Sequence, residues 1–305
     1  MNHHPSRTLA RRALAILATS LVATAAAMAN PFFAFDNGLG GKSPAEQAAL
    51  LKELGYDGIG YTGTGNFAAR KKAFDEKGLK IFNLYVHSDV DKPDAYEAGL
   101  KDAIPQLKGT GVDLWLTLRG KAPDDTAAVR VVRDIADLAA ASGVRVVLYP
   151  HLDCFVQTAD EALRIVKQVD RPNVGLTINL CHELIAGNAD RMDAIVKACA
   201  PHLFYVSING ADRKGTWREL IRPLDEGNFD VPGFLKSLGA AGYKGPVGLQ
   251  CFQVPGAPED HLKRSITRWK EIRGPLAGPA KPCLRKRPVK TSRQEGCRPD
   301  GALSL

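Results

Sequence analysis

Short apolar runs alternate with amphipathic stretches from residue 30 to residue 274, and four runs in the second half each end on polar residues. Those four are Val146–His151, Val174–His182, Leu203–Asp212 and Pro246–Phe252. A strand buried on both faces reads as a continuous apolar run, and its carboxyl end is where chemistry is usually placed. Alternating strand and helix signals also imply parallel pairing, because a parallel partner is reached through a helical crossover. The 245 residues of this stretch suit one closed eightfold unit, typically about 250 residues long. The expected fold class is α/β, a single (β/α)8 TIM barrel.

Local signals place the elements. Phe32–Phe35 reads as the first strand, with Asp36-Asn37-Gly38 as its loop. Ser43, Pro44 and Glu46 have the spacing of a capped helix start. Gly55–Tyr61 enters a second strand, Leu79–Tyr85 forms a third and Asp113–Leu118 a fourth, ending at Arg119. Helical spacing follows over Asp125–Ala141, then from Thr158 and Glu161 as a second capping pair, then over Asn188–Ala200, Val231–Ala241 and Pro258–Ile272.

The ends differ in kind. Arg7, Arg11 and Arg12 precede an apolar run from Ala13 to Ala26 and a small-residue site at Ala27-Met28-Ala29, the pattern of an export signal over residues 1–29. Secretion, or delivery to a periplasm, is the expected localisation, with no membrane partner once the signal is cleaved. Residues 275–305 are rich in Pro, Gly and basic side chains without apolar periodicity, and read as a disordered tail. The formal net charge of +8 lies entirely in these two ends, which leaves residues 30–274 neutral. A neutral barrel has no net field for phosphate, so no nucleic-acid partner is expected. Of the six cysteines, Cys154, Cys181 and Cys251 follow strand runs in no zinc-motif spacing. They read as buried thiols, with a Cys154–Cys181 bridge as the alternative.

The order and flanks of the four strand ends, together with Leu224–Asp230 and Gly242–Gly245, resemble the xylose isomerase-like family of TIM barrels. That resemblance implies a sugar-isomerase, sugar-epimerase or endonuclease-IV type of enzyme. It also implies a divalent metal held by a Glu, an Asp, a His and a second Glu at successive strand ends. Matched residue by residue, those positions hold Tyr149, Asn179, Ser207 and Gln250. All four are neutral, whereas a divalent cation favours anionic oxygen ligands. No metal and no other cofactor is therefore expected.

The polar residues left at the strand ends define the candidate site. His151 and His182 are the candidate catalytic pair, and His182 matches a family histidine that contacts substrate oxygens. Tyr149, Asn179, Ser207, Asn209 and Gln250 are candidates to hydrogen-bond sugar hydroxyls. Arg119 either binds an anionic or keto group or forms a rim salt bridge. Asp212 either assists a histidine or caps a turn. His87 and Asn37 are further rim candidates, and Tyr61, Tyr85, Trp217 and Phe252 offer apolar faces for a sugar ring. The expected partner is a small-molecule carbohydrate, and the leading reaction is metal-independent proton transfer next to a carbonyl, giving epimerisation, isomerisation or elimination. The alternatives are a non-catalytic carbohydrate-binding protein, and a barrel that keeps a metal on His151, His182 and a nearby carboxylate or thiol.

Overall fold

The computed structural model describes residues 30–92 and 96–277. Eight parallel strands close on themselves in sequence order. They are β1 (Phe32–Phe35), β2 (Gly58–Thr62), β3 (Lys80–Asp89), β4 (Asp113–Arg119), β5 (Val146–Leu148), β6 (Val174–Asn179), β7 (Leu203–Ile208) and β8 (Val247–Leu249). Closure is made by β1 and β8, with Phe32 opposite Val247 and Ala34 opposite Leu249. Outside them run α1 (Pro44–Leu54), α2 (Phe67–Glu76), α3 (Leu100–Gln106), α4 (Thr126–Ala140) and α5 (Ala159–Val169). The second half adds α6 (Leu180–Ile185), α7 (Met192–Cys199), α8 (Trp217–Leu220), α9 (Val231–Ala240) and α10 (Pro258–Ile272).

The expected single (β/α)8 barrel is the fold observed, and its start signals work as the sequence implies. Ser43 accepts from the Glu46 amide while the Glu46 carboxylate accepts from the Ser43 amide at 2.7 Å, and Thr158 and Glu161 form the same box on α5. Each box satisfies two of the four amides that a helix start leaves unpaired. Asn188–Ala200, expected as one helix, is α7 flanked by two short 3-10 turns. Two elements depart from expectation at the mouth. β3 runs on to Asp89 rather than ending at Tyr85, and the run after Asn179 turns into α6 at Leu180 instead of continuing as strand.

Aromatic rings fill the barrel axis. Phe33 stacks on Phe82 at 4.6 Å, and Trp115 meets Tyr205 edge-on at 5.2 Å. Beneath them Asp113 takes both Nε and Nη2 of Arg145, at 3.0 and 2.5 Å, and the Tyr205 hydroxyl at 2.7 Å. This buried carboxylate closes the amino end of the barrel, the end that serves stability rather than chemistry.

Packing also continues past the expected boundary at residue 274. Leu276 is buried, and its carbonyl accepts from Lys244 Nζ at 3.2 Å. The export signal expected over residues 1–29, and the tail from residue 278 onward, lie outside the described residues. Cys154, Cys181, Cys199 and Cys251 are all free thiols, so the Cys154–Cys181 bridge does not form. Among the described residues no helix is long and apolar enough to cross a membrane.

Candidate active site at the carboxyl end of the barrel

The strand ends enclose a cavity of about 420 Å3, within the usual range for small-molecule sites. Strand alternation sends Asn83 and Tyr85 on β3 and Trp115 on β4 inward to line it, joined by Tyr149 just after β5. Phe252 and Trp217 stand at its rim, 48 % and 37 % exposed, and present open aromatic faces.

Both candidate histidines line this cavity, and a single backbone unit fixes their protonation. The Leu152 amide donates to His182 Nδ1 at 2.9 Å, while the Leu152 carbonyl lies 2.8 Å from His151 Nδ1. An amide can only donate and a carbonyl can only accept. In their neutral forms the two imidazoles are therefore opposite tautomers. His182 carries its proton on Nε2, whereas His151 carries it on Nδ1 and keeps a free lone pair on Nε2. Their ring centroids are 4.2 Å apart, tilted by 43°.

Local sequence explains this arrangement. Pro150 lies two residues past the end of β5, Asp153 takes a left-handed φ of 64°, and the His151 amide bonds to the Val156 carbonyl at 3.0 Å. The resulting tight loop aims both polar groups of Leu152 at the two rings. His182 sits in the first turn of α6 and meets Trp217 edge-on at 5.0 Å. Its burial, with a smaller contribution from His151, pulls its pKa down to about 3. Next to it, burial pushes Glu183 up to about 7, although Glu183 accepts from the Ala159 amide at 2.6 Å and from Asn188 Nδ2 at 2.7 Å. Glu183 thus ties α6 to the start of α5 and stands behind the site.

The remaining candidates separate into two groups. Tyr149 and Gln250 line the cavity, with Gln250 Nε2 3.4 Å from the Tyr149 hydroxyl and Gln250 Oε1 accepting from Asn37 Nδ2 at 3.2 Å. Asn179 and Ser207 lie fully buried behind Tyr149, where Ser207 Oγ donates to Asn179 Oδ1 at 2.8 Å. They support Tyr149 and do not line the cavity, contrary to the expectation that they touch substrate. Asn209 is also a structural residue: its Nδ2 donates to the Leu220 carbonyl at 2.6 Å. Asp212 is taken by Arg222 at 3.0 Å and by the Asn228 amide at 3.0 Å, so the turn-capping alternative holds. Arg119 is exposed and lies outside the cavity lining, as does His87, which pairs with Glu97 at 2.9 Å.

Sequence reasoning missed Asn83, Trp115 and Asp36 as lining residues. A signal for Asn83 was present, since it is the one amide in the apolar run Leu79–Tyr85. Asp36 faces the cavity while accepting from the Thr62 amide and hydroxyl at 2.9 Å each.

A divalent metal, which the resemblance implies, does not fit this donor set. The strand ends offer a phenol, two amides and a hydroxyl, and these are already bonded to one another. Burial pushes the Tyr149 phenol well above its ordinary pKa, which keeps it uncharged. Among the described residues no group of three His, Cys, Asp or Glu side chains is placed to hold an ion, and this includes the set built on His151 and His182.

Comparison with known proteins places this geometry in context. Residues 48–272 match the family of xylose isomerase-like TIM barrels. Among curated proteins, a ketose 3-epimerase from Arthrobacter globiformis is 29% identical over 156 residues, 51% of this chain and 50% of that protein. A 3-dehydroshikimate dehydratase from Pseudomonas aeruginosa is 29% identical over 179 residues, 55% of this chain but 27% of that protein. The chain thus spans half or less of the length of these curated relatives. Among solved structures, D-allulose 3-epimerase from Methylomonas sp. in complex with D-allulose superposes with a TM-score of 0.66 at 22% identity, covering 80% of this chain and 97% of that one. At that identity the likeness is one of fold.

Proposed function

This chain belongs to the xylose isomerase-like TIM barrel family, and from that premise we propose that it moves a proton next to the carbonyl of a sugar or keto-sugar without a metal. The observation that carries this reading is the pair of opposite tautomers fixed by Leu152. His151 Nε2 has the free lone pair needed to take a proton from the carbon beside the carbonyl. His182, held neutral by burial, presents Nε2–H as a donor to the oxygen on which charge develops. A neutral imidazole suits this role because it polarises the carbonyl without surrendering its own proton. The enediolate formed in this way, held by the His182 hydrogen bond, has three fates. His151 can return the proton to the former carbonyl carbon while the neighbouring hydroxyl passes its proton to the former carbonyl oxygen, which isomerises the sugar. It can return the proton to the carbon it came from, which is invisible except by isotope exchange. Loss of the hydroxyl on the next carbon as water, with His151 giving back the proton it took, gives elimination. Epimerisation needs a proton delivered from the opposite face by a second base, for which the lining offers Asp36 and Asp153, whereas isomerisation and elimination need His151 alone. The sugar ligands and activities in the names of the related proteins support the substrate class.

A second reading rests on the neutral network of Tyr149, Ser207, Asn179 and Gln250, in which the cavity binds a sugar and releases it unchanged. One experiment separates the two. Purified protein is incubated with free sugars and keto-sugars in D2O with chelator, and solvent deuterium in the sugar is followed by NMR. Incorporation at the carbon beside the carbonyl, abolished by His151→Asn and reduced about a hundredfold or more in a His182→Phe variant, is expected. Binding without exchange would leave the second reading standing. Exchange that survives in the His151→Ala, His182→Ala double variant would remove this mechanism.

A further inference from the structure

The charge of the cavity and two of its deepest atoms narrow the ligand class, on the premise that the cavity binds a carbohydrate. Among the described residues lining it there is no lysine or arginine, and the charged ones are the carboxylates Asp36 and Asp153. Arg119, the one cation expected here, lies outside. A phosphate ester or carboxylate entering this space would lose water, meet no opposite charge, and face two like charges.

Two buried polar atoms at the inner end of the same cavity have no hydrogen-bond partner: Asn83 Oδ1 and Trp115 Nε1. Their residues are 2 % and 1 % exposed. Asn83 sits opposite Asp113, the first residue of β4, and Tyr85 opposite Trp115, so both side chains leave the sheet well below the mouth. Neither is free to turn away. Trp115 is stacked on Tyr149 at 4.9 Å and 19°, with Phe35 edge-on at 5.4 Å. In front of Asn83 lies Gly60, also lining the cavity, where a Cβ would come within 2.5 Å of Oδ1. Any side chain at this position would press on the amide oxygen and displace Asn83. Native interiors rarely leave such atoms unpaired, and those found in a cavity point to a group supplied from outside.

We propose that the cavity selects an uncharged polyhydroxy sugar, and that Asn83 and Trp115 bind hydroxyl groups at its inner end. The chemistry of the two atoms favours this class. Trp115 Nε1 can only donate and Asn83 Oδ1 can only accept, and a hydroxyl is the common sugar group that can do either. An anionic oxygen could take the indole proton but would face the lone pairs of the amide oxygen. Asn83 and Trp115 would then set specificity, while the proton transfer stays with His151 and His182.

The test is isothermal titration of the full-length protein with a panel of free ketoses and aldoses, each beside its phosphate ester, with glucuronate as a carboxylated sugar. Singly deoxygenated versions of the best-bound free sugar complete the panel. Free sugars should bind at least about tenfold more tightly than their phosphates or the uronate. Removal of one particular hydroxyl should cost about tenfold or more. Asn83→Leu or Trp115→Phe should weaken the parent sugar by a similar factor while leaving that deoxy sugar unaffected. Asn83→Leu should keep or raise the thermal midpoint, because it replaces an unpaired polar group with an apolar one of similar size. Tighter binding of a phosphate or uronate would overturn the proposal while leaving the carbohydrate reading intact. So would unchanged affinity for the parent sugar in both variants. If no sugar of any charge binds, the carbohydrate reading itself falls and takes this inference with it.

Discussion

Two adjacent side chains, His182 and Glu183, titrate abnormally in opposite senses, and both shifts arise from burial. His182 is lowered from 6.5 to about 3, so between those values the unfolded chain binds the proton and the native state does not. Its contribution to stability therefore rises with pH up to about 6.5 and is lost as pH falls through that window. Glu183 is raised from 4.5 to about 7, so there the native state is the one that binds the proton. Its contribution is full below about 4.5 and falls as pH rises to about 7. Each slope reaches at most about 1.4 kcal/mol per pH unit, and where the windows overlap the two oppose each other. Glu183→Gln should therefore gain thermal midpoint relative to the wild type as pH rises from 4.5 to 7. His182→Phe should lose it from 4 to 6.5. Calorimetry of the three proteins across pH 4 to 7.5 checks this, and parallel midpoint curves would show that these two groups do not carry the shifts. At this scale the sequence was readable for identity more than for state. His151 and His182 could be picked out because polar residues end apolar strands. Their opposite tautomers could not, because these depend on the backbone of Leu152 and no side-chain pattern encodes that.

Among the elements, those whose signals are local were legible. The capping boxes at Ser43 and Thr158 were visible because both partners lie within four residues, and each sets its helix start. Thr158→Ala should cost about 1 kcal/mol, seen as a midpoint drop of roughly 2–4 °C for a domain of this size. The loss should be no greater than this, because Glu183 continues to accept from the Ala159 amide, the next one along. A much larger loss, measured by calorimetry, would mean that Thr158 also holds the α5–α6 junction. Elements whose ends depend on distant partners were misread. In the Val174–His182 run apolar residues continue on both sides of Asn179, and nothing in it marks Leu180 as the point where strand gives way to α6. That switch withdraws Asn179 behind Tyr149 and brings His182 forward to the cavity. The same dependence explains Asn209 and Asp212. Each follows a strand and so satisfied the pattern for a site residue, but their partners Leu220, Arg222 and Asn228 come from chain folded back across β7.

Closure of the whole barrel brings the ends of β5, β6, β7 and β8 together, and this tests why a metal does not fit. Ser207 and Asn179 are in contact at 2.8 Å and Gln250 and Tyr149 at 3.4 Å, so the four positions already pair up at neighbouring strand ends. What they lack is charge. A dication must be repaid for its lost water, and dipoles from amides and hydroxyls do this poorly compared with carboxylates. Installing Tyr149→Glu, Asn179→Asp, Ser207→His and Gln250→Glu together should create measurable affinity for manganese, cobalt or zinc by titration calorimetry. The wild-type protein should show none beyond background, and any one of the four substitutions alone should add little. Without metal the fourfold variant should also melt below the wild type, because three carboxylates would crowd a site from which water is largely excluded. Added metal should restore that midpoint in proportion to its binding. Stoichiometric, tight metal in the untouched protein would contradict this account, because it would show a donor set other than these four strand ends. The proton transfer assigned to His151 and His182 would then have to be derived again around that ion.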